Sequence, residues 1–420
     1  MTFELNNPAF WEEPKVETEL KRVFDICNGC RRCYSLCPSF TDLFARLDRD
    51  SVDGAAEKLD AADLRKVTDL CYQCKLCFNH CPYTPPHRWD LDFPRLMLRS
   101  KAAQVRRDGL SLQDRILGQV DRMGRMGTLF APLANWALGN RFNRWLMEKF
   151  FGIHRDRILP TYASETFRSW FTKRKRSPGN GKTVVLFYTC TVNFNEPATG
   201  KSCVKVLEKN GLDVTCPEQR CCGMPFLDGG DIDAARNNAR ANVESLHALV
   251  KRGFDIVVPG PTCSYMLKHE YPVLLDTEAT REVAERTFDI CEYLMMLHGQ
   301  GKLDTRFAQG AGSIAYQIPC HLRAQNIGYK SRDLMQLIPN TQVRLIEKCA
   351  AIDGTWGLKR QYYDLSRKVA EPLIKEIRDS RAEVAVSDCP LAGLEIEQGL
   401  KRKALHPIRI LARAYGFDTE

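Results

Sequence analysis

The chain has 420 residues, 44% of them hydrophobic, and carries 61 Lys and Arg against 52 Asp and Glu, a formal charge of +9. A chain of this length can bury two or three hydrophobic cores without disulfides, so its 18 cysteines need another explanation. It begins with MTFELNNPAFWEEPKVETELKRVF, which lacks the apolar segment of an export signal, and its most apolar run, LFAPLANWAL, is too short to cross a bilayer. We therefore expect reduced thiols in a cytoplasmic protein.

Two cysteine runs of the same spacing lie in the first hundred residues. The stretches CNGCRRCYSLCP, from Cys27, and CYQCKLCFNHCP, from Cys71, both have the pattern C-x2-C-x2-C-x3-C-P. Three such cysteines can hold three corners of an iron-sulfur cube, and in two-cluster ferredoxins the fourth cysteine of each run binds the other run's cluster. The pattern predicts two [4Fe-4S] clusters, one on Cys27, Cys30, Cys33 and Cys81 and the other on Cys71, Cys74, Cys77 and Cys37.

Zinc is the alternative occupant of these runs, since C-x2-C pairs also make zinc ribbons. Two triplets that each lead to a Cys-Pro pair favour iron and sulfide instead. The stretch between the runs, residues 41–70, is rich in helix formers, with apolar residues about one turn apart. We expect a helical two-cluster ferredoxin domain over residues 1–95.

The basic charge is concentrated between residues 82 and 180, which contain 19 Lys and Arg against 8 Asp and Glu. Within this segment RFNRWLMEKFFG places Phe142, Trp145, Leu146 and Phe150 on one helical face. Such a face packs on its own protein, on a partner or on an anionic membrane surface. The charge run and Pro/Gly stretch at 173–182 predict a domain boundary, so we interpret residues 96–180 as a basic helical linker.

From residue 183 onward β-rich stretches alternate with helical ones, which is typical of a doubly wound α/β unit with a parallel sheet. The stretches TVVLFYTC, LDVTCPEQRCC and DIVVPGPTC are followed in the same order by SIAYQIPC, QVRLIEKC and EVAVSDC. We therefore expect two copies of one fold, over residues 181–305 and 306–420. Each copy has cysteines after its strands, where open parallel sheets bind ligands. The fold class is α+β overall: a helical ferredoxin domain, a basic helical linker and two repeated α/β domains.

The chain resembles the cysteine-rich, CCG-domain iron-sulfur proteins of the heterodisulfide reductase type. The resemblance is carried by the two ferredoxin runs and by CTVNFNEPATGK, QRCCGMPFLDGG, PTCSYMLKHEYP, PCHL, DGTWGLKRQYYDLSRKVAEPL and SDCP. It implies an oxidoreductase subunit that passes electrons from a partner, often a flavin dehydrogenase, towards quinone or another acceptor such as a rubrerythrin-like protein. The chain has no dinucleotide fingerprint, so we expect hydride chemistry to belong to another polypeptide.

The resemblance also implies metal ligands in each α/β half, for a further [4Fe-4S] cluster of non-cubane type or for zinc. The first half keeps four of the family's five cysteines, with Gly260 in the place of the fifth: Cys190, Cys221, Cys222 and Cys263. The second half keeps three, with Ala350, Ala351 and Ala392 replacing two cysteines and a glycine: Cys320, Cys349 and Cys389. We expect the first half to hold the working site and the second to be incomplete.

Four further residues are weaker candidates. We interpret Cys203, Cys216 and Cys291 as buried thiols, with Cys216 close enough to Cys221 to be a spare ligand, and His321 as a structural residue that could instead donate a nitrogen ligand. The alternative function is a heterodisulfide reductase-like catalyst, for which a missing ligand would open an iron position to a sulfur substrate. We expect a flavoprotein or rubrerythrin-like redox partner, peripheral contact with the inner membrane face or with quinone, and no nucleic acid.

Overall fold

The computed structural model describes residues 3–175, 181–352 and 354–418. The chain forms two compact units. The first runs to Gly118 and includes Pro225–Ala234, and the second contains Gln119–Met224 and the chain from Ala235 onward. Part of the predicted linker at 173–182, and Asp353 of the second-half motif, lie outside the described residues. The domain boundaries expected near residues 95, 180 and 305 stay predictions.

The first unit is helical, and its cysteine runs lie at helix ends. Its helices are α1 (Glu13–Cys30), α2 (Pro38–Leu47), α3 (Ala61–Leu70), α4 (Leu76–His80), α5 (Phe93–Asp108) and α6 (Leu112–Gly118), with 3-10 turns at Pro8–Phe10 and Ala56–Lys58. The apolar faces of α1, α2, α3 and α5 meet in one core in which Phe24, Leu43 and Phe44 are fully buried. This core holds the helix ends, and therefore the cysteines, in place.

The basic segment continues in the second unit as α7 (Val120–Leu129), α8 (Ala131–Gly139), α9 (Arg141–Phe151) and α10 (Phe167–Lys173). Helix α9 has the apolar face predicted from the sequence, but this face points outwards: Phe142, Trp145 and Phe150 are exposed. Its buried residues are Arg144 and Glu148. The Arg144 guanidinium donates to the carbonyl oxygens of residues 154, 155 and 157 at 2.8, 3.1 and 2.6 Å. These bonds offset the cost of burying its charge.

No helix in the described part of the chain is both long enough and apolar enough to cross a bilayer.

The rest of the second unit contains two parallel sheets with helices between their strands. The first sheet has the order β2-β1-β3-β4 and the second the order β6-β5-β7. The strands are β1 (Thr183–Leu186), β2 (Asp213–Thr215), β3 (Asp255–Val258), β4 (Thr287–Asp289), β5 (Gly312–Gln317), β6 (Thr341–Ile346) and β7 (Val384–Ser387). The doubly wound architecture expected from the sequence is confirmed.

The helices around these sheets vary widely in length. Those that follow the strands of the first half are α11 (Cys190–Phe194), α12 (Pro197–Lys209), α14 (Ile232–Val250), α15 (Pro261–Tyr265), α16 (Tyr271–Leu275), α17 (Glu278–Glu285) and α18 (Ile290–Gly299), with a π-helical turn at Met266–Glu270. Helix α13 (Met224–Asp228) belongs to the first unit from Pro225 onward. Those of the second half are α19 (Cys320–Ala324), α20 (Lys330–Gln336), α21 (Tyr363–Ser380), α22 (Pro390–Leu400) and α23 (Pro407–Ala414), with 3-10 turns at Trp356–Leu358 and Arg360–Tyr362.

The two halves have the same strand order. The central strand β1 pairs with β2 and β3, as β5 pairs with β6 and β7. Strand β4 pairs with β3, and the corresponding position beside β7 is taken by Leu405, which forms a parallel bridge with Val386. Val184, Val257 and Tyr316, from strands of both halves, are fully buried in one shared core. Strands buried on both faces explain the continuous apolar runs in the sequence.

Two buried carboxyl groups lie at strand ends in this core. Asp289 ends β4 and Asp388 follows β7. A carboxylate oxygen of one lies within 4.8 Å of a carboxylate oxygen of the other. The Asp388 carboxylate accepts hydrogen bonds from Ser331 Oγ at 2.6 Å and from the Tyr316 hydroxyl at 2.7 Å. Burial, followed by the negative charge of Asp388, raises the pKa of Asp289 to about 8. We therefore expect the Asp289 carboxyl to hold its proton at neutral pH in the folded protein.

This protonation predicts that stability falls as the pH rises. The folded pKa of about 8 lies above the value of roughly 4 expected for an unfolded Asp. The contribution of the Asp289 carboxyl to the free energy of unfolding is thus fully present below about pH 4. It is lost as the pH rises towards 8, by at most about 1.4 kcal/mol per pH unit. We expect Asp289→Asn to flatten the dependence of the urea unfolding midpoint on pH between about 5 and 8. An unchanged slope in the variant would show that Asp289 is ionised in the folded protein.

Candidate metal centres

The first ferredoxin run is positioned by the end of α1 and the start of α2. Cys27 and Cys30 lie in the last turn of α1, which ends at Arg31 in the left-handed conformation, with φ 50°. This turn redirects the chain, so that Cys33 follows outside the helix. Cys37 is the N-cap residue of α2, and Pro38, whose missing N–H costs nothing at the first helical position, begins the helix.

The second run lies between α3 and α4. Cys71 caps the end of α3, and two left-handed residues, Gln73 at φ 57° and Lys75 at φ 64°, turn the chain around Cys74. Cys77 lies within α4 and Cys81 caps its end. The short spacing of the cysteines is thus achieved by two positions of positive φ without glycine, a conformation that is disfavoured for residues with a Cβ.

The structure brings the eight cysteines together in two groups of four. Cys27, Cys30, Cys33 and Cys81 line one cavity, to which Cys77 of the other group also contributes. Burial raises the pKa of the Cys33 thiol to about 11, with further increases from Cys81 and Cys30. In the other group, burial raises the pKa of Cys77, followed by the charges of Cys74, Cys71 and Cys37 and then of Cys33 from the first group. Cys37 therefore lies with the triplet of the second run and Cys81 with that of the first.

These groups fit iron-sulfur clusters. Four crowded and largely buried thiols resist becoming thiolates, because the charges repel and are poorly solvated. A cationic metal core would remove this resistance, and the deprotonated sulfurs would hold it. Tyr83 N–H, 3.4 Å from Cys81 Sγ, supplies a hydrogen bond of the kind that tunes such clusters. The assignment of individual ligands stays a prediction.

The first α/β half gathers its four predicted cysteines at the carboxyl ends of β1, β2 and β3. Cys190 begins α11, Cys221 and Cys222 follow β2, and Cys263 lies in α15. Thiol hydrogen bonds link Cys190 to Cys221, Cys221 to Cys222, and Cys222 to Cys263. The hydrogen bond with Cys221, together with burial, raises the pKa of Cys190 well above that of an ordinary thiol. The set of donors and its burial again fit a metal cluster.

A set of polar side chains around these cysteines was missed by the sequence analysis. Asn242, in the middle of α14, accepts from Arg220 N–H at 2.7 Å and donates to the Tyr271 hydroxyl at 2.9 Å. Tyr271 in turn donates to the carbonyl oxygen of Cys222 at 3.0 Å. Asp121 Oδ2 accepts from Cys221 N–H at 2.7 Å. Both Asn242 and Tyr271 are fully buried, so they fix the backbone of the Cys-Cys pair. The sequence feature that could have pointed to Asn242 is an asparagine in the interior of a helix, where this residue is unfavourable.

Two glycines of the first site bear on the family pattern. Gly260 replaces its fifth cysteine, and Gly223 is the glycine of its CCG motif. A Cβ at Gly260 would lie 3.9 Å from Cys263 Sγ and 3.0 Å from a methyl carbon of Thr189. The position of the absent fifth cysteine is thus beside the site, but Thr189 leaves little room there. Gly223 ends the CCG turn at φ 93°, a conformation that favours glycine.

In the second half, Cys320, Cys349 and Cys389 also follow strands at one sheet edge. The three alanines that replace family residues are all buried, as methyl groups packed into the fold: Ala350, Ala351 and Ala392. Ala351 keeps the left-handed turn at φ 50°, and its N–H donates to Cys349 Sγ at 3.2 Å. The turn of the CCG motif is therefore preserved without its second sulfur.

The four weaker candidates are buried. Cys203, Cys216 and Cys291 all lie in the shared core. His321 Nδ1 is 3.0 Å from Thr262 Oγ1, and its ring stacks on Tyr265, with ring centres 5.3 Å apart. His321 therefore ties the second half to the loop that carries Cys263.

A polar cavity of about 440 Å³ opens beside the first site. Cys190 and Cys221 form part of its wall. The charged residues that line it are Asp121, Arg125, Arg168, Glu218 and Arg220. Three guanidinium groups against two carboxyl groups make the cavity suited to a small anion.

Family comparisons agree with this architecture. Residues 20–107 match the model of the citrate utilization protein B Fer4-like domain, and residues 184–268 and 314–397 each match the CCG cysteine-rich domain. The two matches to one model confirm the internal repeat.

Several relatives of described function align with the chain. The C subunit of anaerobic glycerol-3-phosphate dehydrogenase from Escherichia coli K12 is 31% identical over 310 residues, which are 72% of this chain and 77% of that protein. The B subunit of fumarate reductase (CoM/CoB) from Methanothermobacter marburgensis is 24% identical over 55% of this chain and 45% of its own length. Lactate utilization protein A of Bacillus pumilus is 27% identical over 49% of this chain and 87% of its own length.

The paired cysteine runs, the repeated CCG domains and these similarities agree with one another. The chain belongs to the CCG-domain family of iron-sulfur oxidoreductase proteins that includes the C subunit of anaerobic glycerol-3-phosphate dehydrogenase.

Proposed function

We propose that this chain is an electron-transfer subunit that accepts electrons from a flavoprotein dehydrogenase and delivers them to quinone. The ferredoxin cysteines hold two [4Fe-4S] clusters, and the first α/β half holds a third cluster of non-cubane type, or zinc. A rubrerythrin-like protein is the alternative redox partner. The observation that carries the proposal is the gathering of twelve cysteines in three groups of four.

The chemistry that iron-sulfur clusters supply when bound is reversible one-electron transfer. The residues of this chain hold the sulfur ligands, exclude water and set the local charge. Cys33, Cys71 and Cys77 are buried, as are Cys221, Cys222 and Cys263. The sequence has no dinucleotide fingerprint, which is why a separate dehydrogenase is proposed as the donor.

The membrane is the proposed location of the acceptor. Helices α7–α9 carry exposed apolar side chains, here called the apolar patch: Met123, Met126, Leu129, Phe130, Leu133, Trp136, Phe142, Trp145, Phe150 and Phe151. Exposed apolar groups on this scale mark an interaction site. Arg122, Arg125, Arg141 and Lys149 are exposed on the same helices, and Lys149 Nζ lies 5.2 Å from the centre of the Trp145 ring. Aromatic tips mixed with basic groups suit the interface of an anionic bilayer, where quinone is dissolved.

A second candidate function is favoured by the cavity beside Cys190 and Cys221. A sulfur substrate with carboxylate groups would be bound by Arg125 and Arg220 at the edge of the first site, as in a heterodisulfide reductase-like catalyst. The cavity opens at the four-cysteine site, whereas the missing ligands of the sequence pattern place an open position at the three-cysteine site. The electron-transfer function is preferred because it uses all three cysteine groups.

The first test concerns the prediction that Cys37 and Cys81 each bind the cluster held by the other run. Anaerobically purified protein should contain iron and acid-labile sulfide for two cubanes, with EPR signals after reduction. Cys81→Ser should alter the signal of the cluster on Cys27, Cys30 and Cys33, and Cys37→Ser should alter the other one. If each substitution instead altered the cluster bound by the other three cysteines of its own run, the predicted exchange of Cys37 and Cys81 would be wrong. Protein that contains zinc and no acid-labile sulfide would contradict the assignment of both clusters.

The two α/β halves are expected to differ in function. Cys222→Ser should remove the signal of the third centre and at least 90% of the electron flow from a reduced donor to a quinone analogue, because a fully buried ligand is lost. Cys349→Ser should reduce the flow less than twofold. If instead Cys349→Ser abolishes it in folded protein, the second half is the working site. If the protein reduces an anionic disulfide, and Arg220→Gln lowers this rate, the catalytic function replaces the electron-transfer function.

Binding to lipid tests the apolar patch. Each basic residue near an anionic surface contributes about 1 kcal/mol, and this contribution is screened by salt. We expect co-sedimentation with vesicles of anionic lipid at low ionic strength, with a several-fold decrease at high ionic strength. The double substitution Trp136→Ser and Phe142→Ser should weaken binding at least tenfold, whereas Leu112→Ser, at an exposed leucine outside the patch, should not. Wild-type protein that fails to bind vesicles but retains a protein partner would identify the patch as a protein interface.

A further inference from the structure

The second ferredoxin run buries a lysine among its cysteines. Lys75 follows Cys74 directly, and only 3% of its surface is exposed. Its Nζ donates to Gln73 Oε1 at 2.8 Å. An ammonium group is costly to bury, and it is retained in proteins where a negative charge or a well-placed acceptor stabilises it.

Gln73 connects this lysine to a predicted cluster ligand. It is 1% exposed, and its Nε2 lies 3.4 Å from Cys71 Sγ and donates to the Pro94 carbonyl oxygen at 3.1 Å. The side-chain amide therefore accepts from the ammonium group at one end and approaches sulfur with an N–H at the other. Two hydrogen bonds in series through one amide polarise its N–H towards the sulfur.

Two more charges lie near this sulfur. Lys101 Nζ donates to the Cys71 carbonyl oxygen at 2.7 Å. Burial raises the pKa of Cys71, while Lys101, a hydrogen bond from the backbone N–H of Gln73, and Lys75 act in the opposite direction. Asp228 raises the same pKa. The local field at Cys71 is thus set by two cations and one anion.

The other group of four cysteines has a different environment. The cations that line its cavity are Arg31, which pairs with Asp48, and Arg32, which is exposed and acts on Cys33 and Cys81. Water screens the charge of an exposed guanidinium strongly, whereas a buried ammonium acts through a medium of low dielectric constant. Three cysteines of this group, Cys27, Cys30 and Cys81, are partly exposed, against two in the other group, Cys37 and Cys74.

We propose that Lys75, acting with Gln73 and Lys101, sets the reduction potential of the centre held by Cys71, Cys74, Cys77 and Cys37. The inference rests on the proposed function, which assigns a [4Fe-4S] cluster to these cysteines. A buried cluster resists the additional negative charge of reduction, and a buried cation stabilises the reduced form. The step is the gain of one electron by this centre from a reduced donor. Without Lys75 the buried centre would be hard to reduce from the neighbouring one.

Redox titration followed by EPR tests this role, with dithionite as the source of electrons. Lys75→Met removes the charge and keeps a similar length. We expect it to lower the midpoint potential of one of the two cubanes by the equivalent of at least a tenfold change in equilibrium constant, which is about 59 mV for one electron. The other cubane should shift little. Lys75→Arg should restore most of the wild-type potential.

Three further variants complete the test. Asp228→Asn, which removes the opposing charge, should raise the potential of the same cubane, and Lys101→Met should lower it. Lys66→Gln, at an exposed lysine on α3, is the matched control and should change neither potential. If Lys75→Met fails to retain iron, the Asp228 and Lys101 variants show whether local charges set the potential of this centre. Shifts in opposite directions support the proposal, and the absence of shifts overturns it.

The outcomes separate this inference from the proposed function. Wild-type protein without acid-labile sulfide or without two cubane signals would contradict the proposed function. Two intact cubanes whose potentials do not respond to Lys75, Lys101 or Asp228 would overturn only the role of Lys75. Equal shifts of both cubanes would also overturn it, because they would show a general change in the protein rather than a local charge effect.

Discussion

The repulsion between buried sulfur groups is the constraint on which the rest of the structure depends. The fold holds four thiols together in the first α/β half and in each ferredoxin group, and burial together with neighbouring sulfur raises the pKa of Cys33, Cys77 and Cys190. Such groups are unfavourable as free thiolates and favourable as ligands of a metal core, so metal binding contributes directly to folding. The helix ends and strand ends that carry the cysteines are fixed by hydrophobic cores in each unit.

Much of this arrangement could be predicted from local sequence. The C-x2-C-x2-C-x3-C-P spacing, the apolar strands and the repeated order of motifs each depend on a few neighbouring residues, and the fold class that they predicted is confirmed. The polar residues around the sites could not be found in this way. Asn242 lies twenty residues from Cys222, and Tyr271 forty-nine, so only tertiary packing brings them together. The burial of Lys75 likewise depends on left-handed backbone at two positions that have no glycine.

Helix α9 shows a different limit of sequence analysis. Periodicity predicts which residues share a face, but it does not determine which face is covered. In this helix the covered face contains Arg144 and Glu148, because three backbone carbonyl groups and Arg155 satisfy their charges. The aromatic face is left outside. A buried arginine surrounded by carbonyl oxygens therefore reverses the usual orientation of an amphipathic helix.

The second α/β half has lost cysteines and yet contacts the first site closely. His321 is hydrogen-bonded to Thr262, Gln325 Nε2 donates to Ser264 Oγ at 2.9 Å, and His406 Nε2 lies 2.7 Å from the Pro259 carbonyl oxygen. All three contacts reach residues 259–264, the segment that contains Gly260 and the start of α15 with Cys263. A site with four rather than five cysteines has fewer bonds to fix this segment, so contacts from the other half become more important. A requirement for these contacts would preserve the fold of the second half whether or not it binds metal, and would account for alanines that fill space where sulfur is absent.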